Sequence, residues 1–260
     1  MNIRETGFTF LGKHSYRDMG LIYAEKDGHI NTPRIEWNTY EIAGMDGDIL
    51  FPGETRRTMT FEGTLYPVQE RASQREAQTL LRRVSAWLAG GRGRLIFDYE
   101  TDKYYLAELA AESKWSLKNW FGGEISVRFS AQPWAYSVQE AGAYGTGSTA
   151  VTVRLTCLTG VPAPVSFDVE NTGTATVTGV SFGDGVIAFS GLSLAAGEIL
   201  TVSGEPPIGA MIGTVSALRY ADAFGQITVS QGISTLEAAV TYSGSGTKSV
   251  KVTARARGRW

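Results

Sequence analysis

His14 and Ser15 stand side by side near the start of the chain, and a histidine beside a serine is the beginning of a nucleophilic pair. Such a pair needs a third group to orient the imidazole and a sharp turn to expose the hydroxyl. The flanking GKHSYRD supplies no such frame, and neither His14 nor His29, the two histidines, sits in a metal-ligand spacing. Asp46 and Asp48 flank Gly47 as the first carboxylates of a calcium loop would. The following ILFPGE lacks the further oxygens and the spaced Glu, so a turn between strands is expected there. Asp98, Glu100 and Asp102 could hide a glycosidase pair, but they alternate with Phe97 and Tyr99 and read as the wet face of a strand. GSGTKS, residues 244–249, looks like the end of a phosphate-binding loop. Thr247 intervenes before Lys248, and a strand-like segment follows where that loop requires a helix. Cys157 is alone, which excludes an internal disulfide and a cysteine-rich zinc site. No catalytic residue, cofactor site or metal site is expected. The chain reads as a binding or assembly protein, not an enzyme.

The elements that carry these residues are mostly short strands. RTMTFEGTLY alternates at Met59, Phe61, Gly63 and Leu65, RLIFDYE at Leu95, Phe97 and Tyr99, and GEISVRF at Ile125, Val127 and Phe129. One helix is expected over about residues 74–89. Ser73 and Glu76 make its capping box, and Ala77, Leu80, Leu81, Val84, Trp87 and Leu88 line one face. Gly90 and Gly91 stop it. In RFSAQPWAYSV, Pro133 should end strand pairing, because proline cannot donate to a ladder. The second half reads as strands throughout, with hairpin-type turns at Asn171-Thr172-Gly173 and Asp184-Gly185, which together suggest a β-sandwich.

Charge divides the 260 residues. Residues 1–139 carry 17 basic and 18 acidic side chains, whereas residues 140–260 carry 7 and 8. The shift falls at a Gly/Ala/Ser-rich stretch, as at a domain boundary. The expected organisation is a first domain over 1–139, a linker over 140–162 that includes AYGTGST and ends in VPAP, and a second domain over 163–260. A net charge of −2 offers no field for nucleic acid. The opening MNIRETGFTFLGKHS has no apolar signal core, and no run approaches the roughly 20 apolar residues of a membrane helix. Neither nucleic-acid binding nor membrane insertion is expected, and synthesis in a reducing cytoplasm is.

The landmarks of the first half resemble the distal tail protein of long, flexible-tailed bacteriophages. FTFLGKHSYRDMGL places Phe10, Gly12, Ser15, Gly20 and Leu21 at that family's spacing. GMDG, with Gly44, Asp46 and Gly47, is similar to its Gly-x-Asp-Gly turn, although Met45 stands where the family often has Arg. SAWLAGGRGRLIFD, with Trp87 and Leu88, resembles the family's helix end, glycine turn and strand, and Lys103 to Ala107 the strand after it. Phe129, Pro133 and Tyr136 resemble its domain-closing Phe-x-x-x-Pro-x-x-Tyr. The order of these features over residues 8–136 carries the resemblance. PVSFDVENTGTATVTGV is similar to the start of the galectin-like or carbohydrate-module-like sandwich that follows in many members.

The resemblance implies a mainly β chain: a sandwich-like ring-forming domain with one helix, then an antiparallel β-sandwich. It implies a homohexameric ring at the virion tail tip, assembled in the host cytoplasm. One face would meet the tail tube protein and the other the tail-tip hub, with a receptor-binding protein or cell-surface carbohydrate as a further partner. The alternative is a carbohydrate-binding sandwich, for which Tyr220, Phe224 and Tyr242 are the candidate aromatics, Phe167 and Phe189 being expected in the core. Finally, SVKVTARARGRW alternates. Val250, Val252, Ala254 and Ala256 should face the core, and Arg255, Arg257 and Arg259 should form a basic stripe, either a solubilising edge or a docking site for an acidic neighbour.

Overall fold

The computed structural model describes residues 7–26, 35–41, 48–68, 73–110, 114–119 and 122–260. The expected turn at Gly44–Gly47, with Asp46, lies outside them, as does His29. The chain is mainly β with one helix, and it folds as two compact units, 1–138 and 139–260.

The first unit contains β1 (Phe8–Phe10), β2 (Lys13–His14), β3 (Leu21–Glu25), β4 (Ile35–Glu41), β5 (Asp48–Arg56), β6 (Met59–Pro67), α1 (Gln74–Leu88), β7 (Gly93–Phe97), β8 (Lys103–Leu109), β9 (Lys114–Asn119) and β10 (Gly122–Ser137). Its main antiparallel sheet runs β2-β1-β7-β8-β10-β6-β3, with β9 also on β10, while β4 and β5 pair as a separate hairpin. Strict alternation buries Met59, Phe61 and Leu65 along β6. The sheet rolls up: β1 and β3 are far apart in strand order, yet Phe8 and Tyr23 meet edge to face at 5.2 Å. Gly63 permits this closure, because a Cβ there would lie 2.2 Å from the Tyr23 ring.

Helix α1 starts at Ser73, whose hydroxyl accepts from the Glu76 amide at 3.3 Å. It buries Ala77, Leu80, Val84, Trp87 and Leu88. Leu81, expected on that face, is half-buried at its margin. Trp87 stacks on Phe8 at 5.6 Å and donates its indole N–H to the Phe10 carbonyl at 2.7 Å. A buried indole thus finds its acceptor where the helix meets β1.

Pro133 does not end β10. The ladder to β6 stops at Ala131↔Met59, but pairing with β8 resumes at Ala135↔Tyr105 and continues to Ser137↔Lys103. The register shifts between Ala131 and Ala135, so the proline sits in a bulge, where no ladder donor is required.

The second unit contains β11 (Ala141–Gly147), β12 (Ala150–Cys157), β13 (Ala163–Asn171), β14 (Thr176–Phe182), β15 (Ile187–Leu194), β16 (Ile199–Ser203), β17 (Gly209–Ile212), β18 (Val215–Ser216), β19 (Ala221–Phe224), β20 (Thr228–Val229), β21 (Gly232–Ser243) and β22 (Val250–Ala256). One sheet runs β11-β22-β13-β16-β17-β18 with β20 on β13, and the other runs β12-β21-β14-β15-β19. Between them lies an aliphatic core with one stacked aromatic pair, Phe167 and Phe182, at 4.2 Å.

Three expectations change here. Residues 140–162 are not a linker: β11 and β12 occupy most of the segment. Val151, Val153, Leu155 and Cys157 alternate into the core along β12. Asn171-Thr172-Gly173 is not a hairpin, because β13 and β14 belong to different sheets. Asn171 is instead fully buried. Its amide donates to the carbonyls of Ala175 and Leu194, each at 2.9 Å, and its side-chain oxygen accepts from the Gly173 amide. Last, β22 buries Val250, Val252, Ala254 and Ala256 as expected, but it is no edge strand, since β11 and β13 flank it on both sides.

Candidate assembly frame and surface

Among the described candidates for chemistry, His14, Ser15, Asp98 and Glu100 are engaged in holding the fold. His14 ends β2, and its Nδ1 accepts from the amides of Tyr16 and Arg17 at 2.9 and 3.1 Å. The proton therefore sits on Nε2, which donates to the Asp98 carboxylate at 3.0 and 3.1 Å. Both ring nitrogens are committed, so His14 has none with which to serve Ser15. The Ser15 hydroxyl is fully buried and accepts from the Phe8 amide at 3.2 Å. Sequence reasoning lacked the Asp98 partner, 84 residues away. Glu100 pairs with Lys103 at 2.5 Å. Among the described residues no group of three metal-ligating side chains comes together, and no helix is long and apolar enough to cross a membrane. The 244–249 loop spends its groups internally: the Thr247 amide donates to the Thr174 hydroxyl at 2.8 Å, and the Thr247 carbonyl accepts from the amides of Thr174 and Ala175. Strand β22 follows it where a phosphate loop needs a helix.

Of the family-like positions, Phe10, Trp87, Leu88 and Phe129 share the core of the first unit. Leu11 and Gly12, at φ 49° and 75°, form the two-residue turn between β1 and β2. This turn lays Leu11 on the glycine turn after α1: a Cβ on Gly90 or Gly93 would come within 2.6 or 2.3 Å of its methyls. Phe10 and Phe129 are fully buried, 5.1 Å apart, and Phe129 also meets Phe8 at 5.4 Å. Trp87 and Leu88 close the helix onto them. At the far end of β10, beyond the Pro133 bulge, Tyr136 stacks on Tyr104 at 5.5 Å, and the Arg56 guanidinium lies 4.4 Å from the Trp134 ring centre. Burial pushes the Tyr105 phenol up to about 12, with Glu100 adding to the shift. Burial also raises the Tyr23 phenol, helped by Glu25.

No protein-family model matches the chain, and no curated protein does. Solved structures do. The Dit protein of phage SPP1, described as a paradigm of the hub adsorption apparatus in phages infecting Gram-positive hosts, superposes with a TM-score of 0.68 over 98% of each chain at 12% identity. The chain has the SPP1 Dit fold. The phage P2 baseplate in its activated conformation with Ca gives a more distant match, with a TM-score of 0.45 and 9% identity over 92% of this chain and 90% of that one. The resemblance to the distal tail protein read from the sequence thus holds at the level of the Dit fold, and the match to SPP1 Dit spans both units.

The exposed groups of the second unit differ from expectation. Each arginine of the stripe has a partner within that unit. Arg255 pairs with Asp168 at 2.5 Å, Arg257 with Glu140 at 3.6 Å, and Arg259 donates its Nε to the Pro162 carbonyl at 2.8 Å. Burial pushes the Glu205 carboxyl up, against the opposing pull of Arg257 and Arg259. Tyr220, Phe224 and Tyr242 pack against the core. Tyr144, at 68% exposure, is the most exposed aromatic side chain among the described residues. Sequence reading passed it over because it lay in the segment taken as linker. Its alternation with Ala141 and Ala143, which lean on the core, was the available signal.

Proposed function

We propose that this chain is a structural protein of a bacteriophage tail tip or baseplate. Copies form a six-membered ring through the first unit, joining the tail tube to the tail-tip hub and the host-adhesion apparatus. The observation that carries this reading is the end-to-end likeness to SPP1 Dit, both units included. The geometry is compatible with it: His14, Ser15, Asp98 and Glu100 are occupied in holding the frame. A ring of identical subunits needs a heterologous interface that closes, and the mixed charges of the first unit can supply complementary patches for it. Negative-stain images and light scattering of the purified full chain test the proposal. Six-membered rings are expected, and they should weaken as salt rises. A chain that stays monomeric at every concentration and salt, both alone and mixed with tail tube and hub proteins, overturns it.

A further inference from the structure

Helix α1 carries three exposed arginines that the rest of the first unit leaves without a carboxylate. Elsewhere in that unit, Arg57, Arg92 and Arg128 pair with Glu36, Glu108 and Glu62. On α1, Arg75, Arg82 and Arg83 are exposed, and among the described residues none of them makes an ion pair. Arg83 spends one donor on the Met19 carbonyl at 3.4 Å. Beside them runs an open groove of 420 Å³, lined by Ser73, Arg75, Glu76, Thr79, Leu80 and Arg83. These residues recur three or four apart, so they share one flank of the helix. Eight residues at about 1.5 Å each put Arg75 and Arg83 about 12 Å apart along the axis, with Thr79 and Leu80 between them. The middle of the groove is apolar in effect. Leu80, 4% exposed, is its floor, and the Thr79 hydroxyl donates to the Arg75 carbonyl at 2.9 Å, inside the helix.

We propose that this groove binds an extended acidic segment of a partner protein, two carboxylates four residues apart being held by Arg75 and Arg83, with an apolar side chain between them over Thr79 and Leu80. An extended chain advances about 3.4 Å per residue and turns every second side chain to the same side. Its first, third and fifth residues therefore face the groove together, and the outer two stand about 14 Å apart, within reach of both arginines. A guanidinium holds a carboxylate through two parallel N–H···O bonds, which fixes position as well as charge. Arg82, on the neighbouring ridge of the helix, adds to the local positive field that steers encounter. The chain as a whole carries a net charge of −2, so attraction of an acidic segment requires a local basic face such as this one. Glu76 selects against a nucleic acid. A charge at every nucleotide would set a phosphate against its carboxylate, whereas the peptide has a neutral centre there. The site needs a single copy of the chain and does not depend on assembly of the ring.

Fluorescence anisotropy of a labelled, end-capped peptide Glu-Ser-Leu-Ser-Glu, titrated with the full chain at low salt, tests the site. Binding with a Kd on the order of 100 μM is expected. The double change Arg75→Gln with Arg83→Gln should weaken it by about tenfold or more, while thermal melts match the parent because both side chains are exposed. Arg154→Gln, which removes an exposed arginine of the second unit, should leave the Kd within about twofold. A peptide of the same composition with its glutamates two apart, Ser-Glu-Leu-Glu-Ser, should bind about fivefold more weakly, since it cannot reach both arginines. The proposal fails if the first peptide does not bind or if the double variant binds it as the parent does. It fails equally if the respaced peptide, or a thymidine trinucleotide with its two phosphates, binds as tightly.

Discussion

The two units solve the burial problem with different materials. The first interlocks large rings: Phe8 alone touches Tyr23, Trp87, Phe97 and Phe129 within 6.4 Å between ring centres. The second stacks many small and branched side chains between two sheets; among the described residues each unit also buries two polar side chains, His14 and Ser15 in the first, Thr159 and Asn171 in the second. A core of few large pieces concentrates its stability in each piece, because one deletion leaves a cavity that rigid neighbours cannot fill. A core of many small pieces spreads its stability, and its weak points are the polar groups that must stay paired.

The largest test of this contrast is Phe129→Ala. It should cost the first unit about 3 to 5 kcal/mol, the usual range for a buried phenylalanine. Five of the six tryptophans, Trp37, Trp87, Trp115, Trp120 and Trp134, lie in the first unit, so tryptophan fluorescence reports it selectively. In denaturant, the fluorescence midpoint should fall while a later far-ultraviolet transition from the second unit stays in place. Equal shifts of both signals would show that the two cores are not separately cooperative.

The counterpart in the second unit is Asn171→Ala. It strands the carbonyls of Ala175 and Leu194, at about 1 to 3 kcal/mol for each unmet buried group before water enters, while the Gly173 amide keeps its bond to the Ser249 carbonyl. A loss of about 3 kcal/mol is expected, seen by circular dichroism and, since Trp260 alone of the six tryptophans lies in the second unit, only weakly in tryptophan fluorescence. A loss below about 0.5 kcal/mol would remove Asn171 from the argument.

The smallest effect is alkaline. Tyr105 ionises normally near 10 when unfolded and at about 12 when folded, so the folded state holds its proton longer. Between these values the native state binds more protons than the unfolded one, and stability falls as pH rises. The first unit should therefore lose on the order of 1 to 2 kcal/mol between pH 10 and 12 from this group, solvent screening taking part of the shift, and Tyr23 adds to the loss in the same direction. Tyr105→Phe should flatten that slope in fluorescence-detected melts. An unchanged slope would refute the assignment.

How much of this was legible varied from residue to residue. The helix with its Ser73 cap, the alternation along β6 and the buried face of β22 are local facts, fixed by side chains two to four residues apart, and they can be read directly. The Dit-like landmarks could be read as well, since Phe10, Trp87 and Phe129 are bulky apolar residues that have to go inside. The strand β11 that carries Tyr144 could not. Tyr144 was hidden by the glycines around it, which resemble a flexible tether when counted, whereas in the fold Gly145 and Gly147 let β11 approach β12, where a Cβ would meet the Thr152 and Ala150 carbonyls at 2.4 Å.

By itself, then, the sequence determined periodicity, caps and composition: a mainly β chain with one helix, a charge-dense first half and a small-residue second half. Only the tertiary structure decided which strands share a sheet. It let β10 pass Pro133 by bulging, sent β13 and β14 to opposite sheets around Asn171, and put β22 between two neighbours. It also joined His14 to Asp98 and Arg255 to Asp168. The reason is physical. Strand alternation and helix capping depend on neighbours along the chain, whereas pairing partners are chosen by the whole core at once, through packing and hydrogen bonds between residues remote in sequence.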